Sequence, residues 1–134
     1  MTSNPYKGNV AGSQPQYSFH WHGTSNKIFL FEAPIDMLSY ISMHKDNWKS
    51  YSYAASCSVS DRVLFQCLKD NSNIKNVFLC FDNDEAGQTA NKRIADKLNT
   101  MNIQNKILIP KHKDWNEDLK FAEEGDEKLC RQVL

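Results

Sequence analysis

Four carboxylates stand where apolar segments run out: Glu32 in "FLFEAPID", Asp82 and Asp84 in "CFDNDEAG", and Asp114 in "KDWNEDL". Like charges held a few ångströms apart repel and raise one another's pKa. If these segments meet in space, the cluster costs stability unless a cation neutralises it. Carboxylate oxygens without an accompanying set of His or Cys suit a hard ion, Mg²⁺ or Mn²⁺, rather than zinc. Lys111 and Lys113, with His112 between them, precede Asp114 and supply positive charge able to screen or hold a phosphate. Asp84 also suits the N-cap of a helix beginning near Glu85, a use compatible with metal binding by Asp82. Asp36 lies one turn into the first expected helix, where an acid meets the helix dipole favourably, and that use leaves it out of the site. His20 and His22 share one face of a strand, but two ligands do not make a zinc site.

The elements that must position these residues follow a rhythm of short apolar runs, each succeeded by a segment of helical period. "KIFLF" is a first strand, and "PIDMLSYISMHK" a helix with Pro34 at its start and Ile35, Leu38 and Ile41 as its apolar stripe. "SYSYAAS" is a second strand, before a helix "SDRVLFQCLKD" capped by Ser60 with Val63, Leu64, Cys67 and Leu68 inward. "NVFLCF" is apolar throughout, as expected of a strand covered on both faces, and the helix after it aligns Ala86, Ala90, Ile94, Leu98 and Met101. "KILIP" is a fourth strand closed by Pro110. "WNEDLKFAEEG" and "DEKLCRQVL" form one or two closing helices with Leu129, Cys130 and Val133 inward. The expected fold is α/β: three layers around a mainly parallel four-stranded sheet, with "YSFHWHG" as an additional N-terminal edge strand or hairpin arm. In open α/β sheets ligands bind outside the carboxyl ends of the strands, the positions Glu32, Asp82, Asp84 and Asp114 would take.

A chain of 134 residues, 40% of them hydrophobic, suffices for one core. Sixteen basic and sixteen acidic residues cancel, which excludes a protein that grips nucleic acid by net charge alone. Residues 1 to about 16 are polar and rich in Ser, Asn, Gln, Gly and Pro, so 1–26 divide off as a leader or linker carrying the edge strand, and 27–134 as the domain. Cys57, Cys67, Cys80 and Cys130 show no CxxC spacing and read as reduced thiols of a cytoplasmic protein. With no apolar run of membrane-span length, no membrane partner is expected. Tyr17, Phe19 and Trp21 suit a packed strand face, and Trp115 suits an anchor for the last loop.

Taken together, these motifs resemble the Toprim domain of bacterial primases, topoisomerases and related nucleases, over roughly Lys27 to Phe121. The family's glutamate at the end of its first strand matches Glu32, and its DxD at the end of the third matches Asp82 and Asp84. The form "DxDxAGxxA", with Ala86, Gly87 and Ala90, is most similar to the primase branch, including primase-like proteins of plasmids and conjugative elements. There Asp114, with Asn116 where some relatives carry a carboxylate, takes the place of a last acidic element. The resemblance implies Mg²⁺ on the aspartates, acid or base work for Glu32, and DNA or RNA as partner alongside other domains of a parent protein. The expected function is thus a Mg²⁺-dependent nucleic-acid-processing module, by primase-like nucleotidyl transfer or phosphodiester cleavage. A non-catalytic, metal-dependent binding or interaction domain is the alternative. A phosphatase of the haloacid-dehalogenase type also ends a strand with DxD, but it places the motif on its first strand and needs Thr or Val where Ala86 stands. One departure from the Toprim pattern is Ala33-Pro34 after the glutamate, where many members have Gly.

Overall fold

The structure, a computed structural model, describes residues 20–57 and 61–133, the stretch 126–133 by its backbone alone. Its strands are β1 (His20–Trp21), β2 (Lys27–Phe31), β3 (Ser52–Ala55), β4 (Asn76–Cys80) and β5 (Gln104–Ile107). Its helices are α1 (Pro34–Met43), α2 (Arg62–Asp70), α3 (Glu85–Thr100) and α4 (Trp115–Val133). A single sheet runs in the order β1-β3-β2-β4-β5, with β1 antiparallel to β3 and every other pair parallel. The four parallel strands and the added N-terminal edge strand are those the sequence predicts, and one helix, not two, closes the chain.

The sheet separates two cores because β2 alternates. Ile28 and Leu30 point to the side of α2 and α3, where they meet Val63, Leu64, Leu79, Phe81, Ile94 and Leu98. Phe29 and Phe31 point to the side of α1 and α4, among Met37, Tyr53, Cys80 and Trp115. That second side is aromatic, with Phe29 stacked on Phe78 at 4.6 Å between ring centroids. Both faces of β2 are closed, as its unbroken apolar run requires.

Several expectations are corrected. On α1, Ile35 and Leu38 are 54% and 49% exposed, while Asp36, Met37 and Ser39 are buried. Ile35 and Leu38 face out and Asp36 and Ser39 face the sheet edge, while Ile41 packs with Met37 and Tyr40 against the aromatic core. On α3, Ala86 and Met101 are exposed, and Asn91 takes an inward place beside Ala90, Ile94 and Leu98. The last strand starts at Gln104, two residues before "KILIP", and ends before Leu108. Pairing with β4 sets these bounds, not hydrophobicity: Asn76 to Leu79 align with Gln104 to Ile107 at the sheet's edge. The suggested cap Ser60, Tyr17 and Phe19, and the side chains of Leu129, Cys130 and Val133 lie outside the described residues. Ala33 has φ −131 and ψ 150, extended backbone that the residue before a proline favours, so the turn after Glu32 needs no glycine.

Candidate functional site

The parallel part of the sheet starts at β2, adds β3 on one side, and then crosses to add β4 on the other. Helices before and after that reversal lie on opposite faces, which makes the carboxyl ends of β2 and β4 the switch point of the sheet. Phe31 pairs with Cys80, so Glu32 and Asp82 leave the sheet beside each other. Beyond β5, residues 108–114 curve over the same edge and deliver Asp114.

One carboxylate oxygen each from Asp36, Asp82 and Asp114 lies within 4.8 Å of the others. Asp36, set aside on sequence grounds, is therefore inside the cluster. It is 3% exposed, and its Oδ1 accepts the Asn116 amide at 3.2 Å. The signal that identifies it is the amphipathic pattern read the other way: with Ile35 and Leu38 outward, Asp36 has to face the sheet edge. Asn116 holds α1 to α4, since its Oδ1 accepts the Ser39 hydroxyl at 3.3 Å while its backbone meets Asp36. Asp114 shares its carboxylate with the start of α4, accepting the Glu117 amide at 2.8 Å. Asp84 is the N-cap of α3 and accepts the Gly87 amide at 2.8 Å. It stands beside the three clustered carboxylates, and its charge acts on both Glu32 and Asp82.

Gly87 explains part of the motif that follows the aspartates. A Cβ there would come to 2.2 Å from the Asp82 carbonyl oxygen, so only glycine lets the first turn of α3 lie against the strand exit. Trp115 anchors the last loop, as its sequence position led one to expect: its indole donates to the Cys80 carbonyl at 2.9 Å and packs edge-on against Tyr40.

The two lysines part company. The Lys113 ammonium favours ionised Glu32 electrostatically, whereas Lys111 lines a groove with His44, Trp115 and Phe121 between the end of α1 and α4. His112 is held by Asp118, Nδ1 to Oδ1 at 2.6 Å, and stacks on Phe121. Burial disfavours the charged Asp118, yet the amides of Lys111 and His112 and the His112 ring hold its carboxyl below the usual range.

The acids of the cluster are strained by their company. Burial, followed by the charges of Glu32, Asp36, Asp114 and Asp84, pushes the Asp82 carboxyl up to about 7. Glu32 is raised by burial first and then by Asp84, against the opposing Asp82 amide and Lys113. Asp36 is raised by burial, with Asp114 and Glu32 adding to it and the Asn116 amide opposing. Glu32 Oε1 and Asp82 Oδ1 are buried without a hydrogen-bond partner. An unpaired buried carboxylate oxygen is costly, and a hard divalent cation is the group that an all-oxygen set of this kind accepts. The residues present therefore fit Mg²⁺ or Mn²⁺.

Residues 29–119 match the Toprim-like family model. The chain belongs to the Toprim-like family. Two solved structures share the fold of this Toprim-like domain. The primase fragment of the bacteriophage T7 primase-helicase is 22% identical with a TM-score of 0.56, over 85% of this chain and 46% of that one. The second is a chain in the complex of T7 lagging-strand DNA polymerase with primase domains bound to an RNA/DNA hybrid and dTTP. It is 23% identical with a TM-score of 0.56, over 84% of this chain and 55% of that one. An uncharacterized protein of Bacillus anthracis is 25% identical across 92% of the Toprim-like chain, which spans 40% of that relative's length.

Proposed function

We propose that this Toprim-like domain is a Mg²⁺- or Mn²⁺-dependent module that acts on nucleic-acid phosphodiesters within a larger, cytoplasmic DNA-replication protein of a mobile element. The reaction is primase-like nucleotidyl transfer or phosphodiester cleavage. The observation that carries this reading is the meeting of Asp36, Asp82 and Asp114 within 4.8 Å, with unpartnered oxygens on Asp82 and Glu32 at the sheet's switch point. In this reading residues 1–26 are a leader that carries the edge strand β1, and 27–134 are the working domain.

Asp82 and Asp114, with Asp36 beside them and Asp84 close by, hold the cation, which when bound neutralises charge on a phosphate oxygen. Glu32 exchanges a proton with an attacking or leaving hydroxyl, a task that its raised pKa suits. Lys113 and, farther along the groove, Lys111 hold phosphates of the strand. A second reading, a metal-dependent binding module without catalysis, is favoured by the structural use of Asp84 and Asp114 as helix caps. Template-directed synthesis and cleavage assays on the full-length protein, with and without Glu32→Gln, separate the two. Metal-dependent product that Glu32→Gln abolishes supports catalysis; metal-dependent binding without product supports the module.

A further inference from the structure

The residue between the two aspartates is more than a spacer. The Asn83 backbone amide donates to the Lys113 carbonyl at 2.7 Å, and its side-chain Nδ2 donates to the Pro110 carbonyl at 3.2 Å. Asn83 itself leaves β4 next to Asp82, and both acceptors belong to the loop that ends in Asp114. Two loops that carry like charges into one cluster are thus tied together at two points of the incoming loop, by a residue whose own side chain is uncharged. Without such a tie the repulsion between Asp82 and Asp114 favours their separation.

We propose that Asn83 is a positioning residue that preassembles the cation site, holding Asp114 against Asp82 before any cation arrives. Among the other bonds of residues 108–118, those of Asn116 tie the segment to Asp36 and Ser39 of α1, not to the loop that carries Asp82. Asp118 binds the amides of Lys111 and His112, and Asp114 binds that of Glu117, all within the same segment. Leu108 donates to Leu79 and Trp115 to Cys80, which fix the loop's two ends to β4 and leave its middle to Asn83. A preassembled site avoids the ordering cost of collecting its ligands at the moment of binding, so the tie acts on affinity. The inference rests on the metal-binding reading given above.

The test is Mn²⁺ titration of the domain, followed by the loss of the free-ion electron paramagnetic resonance signal, for the parent, Asn83→Ala and Asn83→Ser. Asn83→Ala keeps the backbone bond to Lys113 and removes only the bond to Pro110. It is expected to bind Mn²⁺ about fivefold more weakly, the worth of one ordinary hydrogen bond. Asn83→Ser, with a donor on a shorter arm, should fall between the two. In EDTA the alanine variant should melt with the parent, showing that the fold is intact, while amides of 111–114 exchange faster with deuterium. Equal Mn²⁺ affinity in parent and alanine variant overturns the positioning role and leaves the metal reading standing. A parent that binds no Mn²⁺ overturns both.

Discussion

At the scale of single residues, Asp82 decides how the domain responds to pH. Its carboxyl is raised to about 7 in the fold, against an ordinary value of 3.8 in the unfolded chain. The native state then holds a proton that the unfolded state releases between these values, so stability from this group is full below about pH 4 and is lost as pH rises through 7. In EDTA, melting temperature is expected to climb as pH falls from 8 to 5, and Asp82→Asn should flatten that climb. Saturating Mg²⁺ should flatten it too, because cation and proton compete for the same oxygens. A parent and an asparagine variant with equal pH slopes would sink the account of Asp82. Asp84→Asn makes a separate case. Asn caps a helix nearly as well as Asp, so metal-free stability should hold or rise by about 1 kcal/mol as repulsion falls, while the gain on adding Mg²⁺ disappears. Gly87→Ala drives a methyl group into the Asp82 carbonyl, and thermal or urea unfolding should report a loss of about 2 kcal/mol or more.

At the scale of elements, α1 gives the sharpest contrast between sequence and structure. Its apolar residues at helical spacing read as a core stripe, but Ile35 and Leu38 point outward and Asp36 and Ser39 inward. Polar replacement of Ile35 or Leu38 should therefore change stability by less than about 0.5 kcal/mol, where a core stripe would lose several. Periodicity identifies a helix from side-chain spacing alone, and it misplaces the inward face here because Asp36 and Ser39 border a polar site while Met37, Tyr40 and Ile41 meet the core. The strands β2 and β4 were plain in the sequence, since a strand covered on both faces must be apolar at every position. β5 was legible only in part: "KILIP" overlaps it at Lys106 and Ile107, but Gln104 and Asn105 were missed, because an edge strand paired on one side needs no apolar run. Glu32, Asp82 and Asp114 were legible as residues that follow strands. The role of Asn83 was not, since a hydrogen bond across two loops leaves no periodic trace.

At the scale of the whole molecule, balance of charge governs the encounter with nucleic acid. Net charge is zero, and the sheet's working edge is acidic, so the isolated domain in EDTA should bind oligonucleotides weakly, with a shallow dependence on salt. Tight binding at physiological salt without a divalent cation, read by fluorescence anisotropy, would contradict this. The layering of the fold has another effect. Helices α1, α3 and α4 all begin at the acidic edge, with Asp36 in the first turn of one and Asp84 and Asp114 at the starts of the others. Each helix start carries about half a positive charge from its unpaired amides, so the architecture supplies a permanent share of the counter-charge itself. Assembly of the polypeptide then need not wait for an ion. On the metal reading proposed above, the cation is a late and exchangeable visitor, and its occupancy follows the free concentration in the surroundings as a rheostat does, unlike a structural zinc locked in at folding.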